Sequence, residues 1–304
     1  MSELEIRYLY GTAWKEELTE ACVLSALSAG YRAIDTANQR KHYDEEAVGR
    51  AIVSGYSQFG LKREDLFLQT KFTFARGQDH RKPYDESAPF KDQVNQSIQS
   101  SLRHLQTDFI DSYVLHGPSS HAGLTNADLE TWQAMQENLG RGYVRSLGIS
   151  NVSFDQLAEL CQKVTVQPKF VQNRCFATTL WDKEVREFCL AKGIHYQGFS
   201  LLTANSNFLA GRVIRPEGRN VPQLILPDGA TDAALEGLHP EVRAILKQTG
   251  KNIQQVIFRF AQQIGMIPIT GTRSVDHLRS NLEIDEMVLS ASQLRTLETI
   301  AFLE

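Results

Sequence analysis

The chain has 304 residues, 42% of them apolar, and a net charge of −4 from 32 basic and 36 acidic residues spread along it. That supplies one large core, which excludes disorder and points to one α/β domain over residues 1–304, a barrel or a sheet. The even charge gives no basic stripe for nucleic acid, and no apolar run approaches the roughly 18 to 20 residues of a membrane span.

The N-terminal stretch "MSELEIRYLYGTAWKEE" has no secretory pattern, and the cysteines, Cys22, Cys161, Cys175 and Cys189, form no CxxC pair. The expectation is a cytoplasmic protein with reduced thiols and no metal. No heptad or long apolar patch appears, so a monomer is expected.

Strands are expected at residues 5–9, 31–35, 65–71, 109–115, 143–149, 169–172, 194–199 and 266–270. "LSAGYRAIDT", "GRGYVRSLGIS", "LAKGIHYQGFS" and "QIGMIPIT" repeat one unit: a glycine that stops a helix, a buried strand, and a polar residue at its end. Between them, "KEELTEACVLSALSAG", "KDQVNQSIQSSLRHL", "FDQLAELCQK" and "NIQQVIFRFAQQIG" carry apolar residues at helical spacing. Eight alternating strands predict a closed (β/α)8 barrel of the TIM type. An open doubly wound sheet competes less well, because no glycine-rich phosphate loop follows the first strand. The Gly-, Pro- and Asn-rich stretch 203–240 reads as a long lid loop.

A barrel enzyme builds its site at the C-terminal strand ends. Here those ends carry Asp35, Lys71, His116, Ser150 with Asn151, Gln172 with Asn173, Ser200 and Thr270. Asp35 and Ser150 could each serve only as a helix N-cap. Lys71 and His116 resist that reading, since a buried ammonium needs a counter-charge, which Asp35 can supply. Lys71 could instead be a Schiff-base nucleophile of a lyase.

"GTAW", "GYRAIDTA", "EEAVGRAI", "LQTKF", "SLRHLQTDFIDSYVLHGP", "GYVRSLGISN", "FVQNR", "YQGFSLL" and "IPITGTRSVDHLRSNL" follow one another as in an aldo-keto reductase, and the chain resembles that family from Tyr8 to Asn281. The resemblance implies reduction of an aldehyde or ketone by hydride transfer from NADP(H), with NAD(H) the lesser candidate. It also implies that Asp35, Lys71 and His116 belong to a catalytic tetrad whose fourth member is a tyrosine. The family pattern sets that tyrosine five residues after the aspartate, but Arg40 stands there and Tyr43 comes eight residues after Asp35. Counting back from Gly49 lands on His42. A phenol, whose pKa of about 10 an adjacent Lys71 cation can bring nearer neutrality, is the better proton donor, so Tyr43 is expected as the acid and His42 as a pocket or capping residue.

By the same resemblance Ser150, Asn151 and Gln172 would bind the nicotinamide carboxamide and Phe199 would stack on its ring. Ser200 and Leu202 would face the pyrophosphate, and Gly271, Thr272, Arg273, His277 and Asn281 the adenosine end. Gly271 stands where many members have lysine and His277 where many have arginine. Trp14, Phe72 and Phe74 are expected to join His42 around a small-molecule carbonyl substrate, and the basic, aromatic "FTFARGQDHRKPYDESAPF" loop either to line a pocket for an aromatic or acidic carbonyl compound or to be a solvated surface. Trp132 and Trp181 are expected in the core. The altered spacing leaves open a non-catalytic, NADP(H)-sensing subunit on the same barrel.

Overall fold

The computed structural model describes residues 6–211 and 235–303. Eight parallel strands close into one barrel in chain order: β1 Leu9–Gly11, β2 Ala33–Asp35, β3 Phe67–Phe72, β4 Ser112–Leu115, β5 Leu147–Ser150, β6 Phe170–Arg174, β7 His195–Phe199 and β8 Met266–Thr270. Seven of the expected strands overlap these broadly, whereas β1 begins at Leu9, after residues 6–8 of the span expected at 5–9, whose residue 5 lies outside the described residues. In "EIRYLYG" apolar residues fall in both frames, so only pairing with β8 and β2, Leu9 with Ile269 and Gly11 with Asp35, sets where the strand lies.

Helices α1 Thr19–Ala29, α2 Glu45–Phe59, α3 Phe90–His104, α4 Asn126–Gly140, α5 Phe154–Lys163 and α6 Lys183–Lys192 follow successive strands or precede the next. After β7 come the short α7 Ser206–Leu209 and, beyond the undescribed residues, α8 Pro240–Thr249 and α9 Ile253–Gln263; α10 Val275–Leu282 and α11 Ala291–Glu298 follow β8. Gly30 ends α1 with φ +113°, a conformation a side chain would oppose, as the glycine pattern predicted. Of the stretch expected to form a lid, residues 203–209 form a short turn and α7, and 212–234 lie outside the described residues. None of the described helices is long and apolar enough to cross a membrane.

Strand periodicity sorts the residues into layers. Leu9, Ala33, Phe67 and Phe170 cluster inside the barrel as an apolar plug. Two residues further along each strand lie Gly11, Asp35, Gln69 and Gln172, and two beyond Gln69 lies Lys71. The opposite phase, including Tyr10, Ile34, Leu68, Phe72 and Val171, packs outward in the main core under the helices. Trp132 and Trp181 are fully buried there, as expected. The interior therefore changes from apolar to polar along the barrel axis.

The helices fit tightly beside the site. At Gly49 in α2, a Cβ would come 2.0 Å from the backbone oxygen of His104 at the end of α3. Nearby, Glu45 accepts from the Thr70 hydroxyl at 2.5 Å, and its other oxygen is 3.1 Å from His104 Nδ1. Gly49→Ala should cost about 1–3 kcal/mol of stability by overpacking, read as a lowered urea midpoint with unchanged slope.

Candidate active site

Asp35 and Lys71 end in the inward phase of β2 and β3, and the barrel brings Lys71 Nζ 2.7 Å from Asp35 Oδ1. Lys71 is wholly buried, and its ammonium also donates to the Thr36 carbonyl at 2.8 Å. Burial pulls the lysine pKa down while Asp35 pushes it back up. So enclosed, Nζ offers no approach to a substrate carbonyl, which argues against the Schiff-base lyase.

Tyr43 lies over this pair: Lys71 Nζ is 5.4 Å from its ring centroid. The Tyr43 and His116 rings meet edge to face at 6.0 Å. His42 turns the other way, its ring lying over Trp14 at 3.7 Å between centroids. The loop spacing left Tyr43 and His42 as rivals; the fold brings Tyr43 to Lys71 and His116, and His42 to the cleft wall.

The expected lowering of the Tyr43 pKa does not occur. Burial and the Asp35 charge push it well above the usual phenol value. The reason is that the Lys71 charge is already engaged by Asp35 and Thr36. The phenol thus keeps its proton at any physiological pH, which suits a donor.

The His116 ring is held by Thr73. Its Nδ1 lies 2.7 Å from the Thr73 hydroxyl. If that hydroxyl donates, Nε2 carries the proton, a tautomer assigned from the hydrogen-bond pattern. Burial, with Lys71 and then His42, holds the His116 pKa down at about 3.

The loop that carries Tyr43 is held by the long loop after β3. Gln39 Nε2 donates to Gly77 O at 2.6 Å, Gln78 Nε2 to Asn38 O at 2.8 Å, and an Arg81 nitrogen to Arg40 O at 3.0 Å. Asn38 is anchored on α3 through Ser97 O and Ser101 Oγ. Three basic groups of these loops are ion-paired locally, Arg81 with Asp79, Lys82 with Glu86 and Arg40 with Asp44, and Arg76 bonds the Pro118 carbonyl. Asp44 is also the N-cap of α2, accepting from Ala47 N.

Phe72 and Phe74, expected in the substrate pocket, are not there. Phe72 occupies the outward phase next to inward Lys71, and both rings pack in an aromatic cluster with Tyr84 and Phe90. Tyr84 closes that cluster by donating to Thr73 O at 2.6 Å.

A cleft of about 730 Å³ runs from these groups across the strand ends to α10. Every other expected residue lines it: Trp14, His42, Ser150, Asn151, Gln172, Phe199, Ser200, Leu202, Gly271, Thr272, Arg273, His277 and Asn281. Asn151 Nδ2 is tied to His116 O and Ser150 Oγ, at 2.8 and 3.1 Å.

Three residues the sequence reading passed over also belong to the cleft or its floor. Lys15, directly after "GTAW", is buried in the cleft wall, and its ammonium bonds the Gly271 carbonyl. A Cβ at position 271 would come 3.3 Å from Lys15 Nζ, so the glycine makes room for that cation. Burial, and then the Arg273 charge, lowers the Lys15 pKa. Among the described residues neither Lys15 nor Arg273 has a carboxylate partner. Gln69 and Gln197 lie below, in the inward phase of β3 and β7; two polar residues within buried strands were the available signal.

A family model described as the aldo/keto reductase family matches residues 5–301. The chain is 28% identical over 295 residues to a D-galacturonate reductase of Fragaria ananassa, covering 91% of this chain and 80% of that one. It is similar to the crystal structure of a Bombyx mori aldo-keto reductase, AKR2E4, in complex with NADP: TM-score 0.74, 25% identity, 97% and 88% of the chains covered. An aldo/keto reductase of Brucella melitensis is likewise similar, with TM-score 0.72, 25% identity and coverage of 96% and 94%. The chain belongs to the aldo/keto reductase family, and its barrel is an oxidoreductase barrel.

The His116 pKa has a consequence for stability. Its folded value of about 3 lies below the ordinary 6.5, so between those values the unfolded chain binds the extra proton and stability falls as pH falls. Above that window the contribution is complete. His116→Asn should therefore lose less stability than the wild type between about pH 7 and about pH 4, by chemical denaturation at each pH.

Proposed function

We propose that the protein reduces an aldehyde or ketone to an alcohol with NADP(H), and that Tyr43 is the proton donor. The observation that carries this reading is the position of the Tyr43 phenol above the sealed Lys71–Asp35 pair and beside His116.

The cleft suits the cofactor. Its volume is in the range of small-molecule sites, and two neighbouring cations without carboxylate partners, Lys15 and Arg273, suit a phosphorylated dinucleotide. Thr272 and His277 border the same end, which favours NADP(H) over NAD(H). Ser150, Asn151 and Gln172 would hold the carboxamide and Phe199 would face the ring; its benzyl ring keeps the stacking surface of the commoner tyrosine. When bound, the reduced nicotinamide supplies the hydride.

The protein's own groups then do the following. His116 Nε2–H donates to the substrate oxygen and fixes its direction, with Thr73 holding the tautomer. Tyr43 gives its proton to that oxygen as negative charge develops there. Lys71, the positive member of the pair, faces the phenol ring and stabilises the negative charge it takes on at that moment, while Asp35 holds the ammonium in place. Trp14 and His42 give the substrate a flat, uncharged wall, in keeping with a neutral carbonyl compound.

A non-catalytic sensor loses its ground, because the altered spacing still delivers a tyrosine to Lys71. The free thiols, three of them buried, and the sequence patterns favour a cytoplasmic monomer that takes neither nucleic acid nor membrane as partner.

In an NADPH-oxidation assay with a panel of aldehydes, Tyr43→Phe should lower kcat by about 10²–10⁴-fold, while His42→Ala keeps most of its turnover. The reverse pattern would assign the acid to His42. Lys15→Met should weaken NADPH binding about tenfold or more in a fluorescence titration, as expected for loss of a charge-assisted contact.

A further inference from the structure

Below the cleft, three glutamines from β3, β6 and β7 meet inside the barrel. Asp35 is the register partner of Gln69, and Gln172 of Gln197, so the strands themselves bring the four side chains into one layer. Gln69, Gln172 and Gln197 are all buried, between the apolar plug and the cleft. Barrel interiors are filled mainly by branched apolar residues, and burying amides is costly unless each finds partners.

Here the partners form a closed circuit. Asp35 Oδ1 accepts from Gln69 Nε2 at 2.7 Å and from Gln172 Nε2 at 3.0 Å, besides Lys71. Gln69 and Gln197 exchange two amide bonds, 2.8 and 3.0 Å long. Gln197 Oε1 also accepts from Gln172 Nε2, at 3.0 Å.

The direction of every bond follows from one group. A carboxylate can only accept, so both nitrogens aimed at Asp35 must be amide N–H₂. With Gln69 so oriented, its Oε1 faces Gln197 Nε2, and Gln197 in turn presents Oε1 to Gln172. Both Gln172 protons are thereby consumed below the cleft. Among the described residues no donor reaches Gln172 Oε1, and Gln172 lines the cleft.

We propose that Gln69 and Gln197 are positioning residues: they lock the Gln172 amide so that it offers the cleft an acceptor oxygen, which reads an amide N–H₂ on the cofactor ring. This rests on the proposed nicotinamide cofactor. It assigns a purpose to two residues that touch neither substrate nor cofactor, and it links the cofactor subsite to the same Asp35 that holds Lys71. Asp35 sets the sense of the Gln172 amide, and Gln197 Oε1, itself oriented by Gln69, takes its second N–H; without the pair that N–H loses its partner and the bias toward this orientation weakens.

The test compares NADP+ with its 3-acetylpyridine analogue, which lacks the amide N–H₂. Dissociation constants come from fluorescence titration, and thermal melts of each protein report folding. The wild type should prefer NADP+ by about tenfold, the value of one well-made hydrogen bond. Gln197→Met should bring that ratio below about threefold, as should the Gln69→Leu/Gln197→Leu double variant, which leaves no amide of the pair orphaned. The double variant carries the test if the single one does not fold. A ratio unchanged in a folded variant, or a wild type that binds both dinucleotides equally, overturns the inference and leaves the reductase reading standing. Failure to bind either dinucleotide overturns both.

Discussion

Lys71 and Asp35 are buried side by side at the polar end of a barrel whose other end is an apolar plug. Taking both charges out of water costs several kcal/mol per ion, and the attraction offsets this only if the remaining hydrogen-bonding capacity is used. It is used: Lys71 reaches a carbonyl as well as the carboxylate, and Asp35 Oδ1 collects two amide donors in addition to the ammonium. A pair satisfied from below and from the sides can act only upward, where Tyr43 lies. The position of the acid, the identity of the wall residues and the orientation of Gln172 all follow from that constraint.

The second constraint is on the loops. A tyrosine eight residues after Asp35 needs a longer path back to the ion pair, and a longer loop has more ways to miss. The extended loop after β3 removes that freedom by bonding Asn38, Gln39 and Arg40 in turn. Its aromatic residues contribute by packing under it and leave the cleft to Trp14 and His42. The two unusual loops are thus one assembly.

Much of this was legible in the sequence, and the exceptions have physical causes. The alternation of glycine, apolar run and polar end disclosed the barrel because a helix stop, a doubly buried strand and a strand-end polar group have different residue requirements. Asp35, Lys71 and His116 stood out because charged or titratable groups rarely close such strands without purpose. Phe72 and Phe74 were misplaced because they were judged by residue type; the two-residue period that puts Lys71 inside puts Phe72 outside. Tyr43 and His42 could not be separated by counting, since a loop's path depends on contacts with Gly77, Gln78 and Arg81, more than thirty residues away in the chain. Gln69 and Gln197 were visible as polar residues in inward phase, yet only the register shows that they meet. The lowered phenol pKa was expected from the presence of Lys71 alone; the missing fact was that its charge is already engaged.

The central claim is that the Lys71–Asp35 pair acts on chemistry through Tyr43. The direct measurement is single-turnover NADPH oxidation by the Asp35→Asn/Lys71→Met double variant, which removes both charges while the asparagine keeps an acceptor oxygen for Gln69 and Gln172, alongside its NADPH dissociation constant. The account predicts that the hydride-transfer rate falls by about 10²–10⁴-fold while NADPH affinity changes little. An unchanged single-turnover rate with weakened NADPH binding would contradict it.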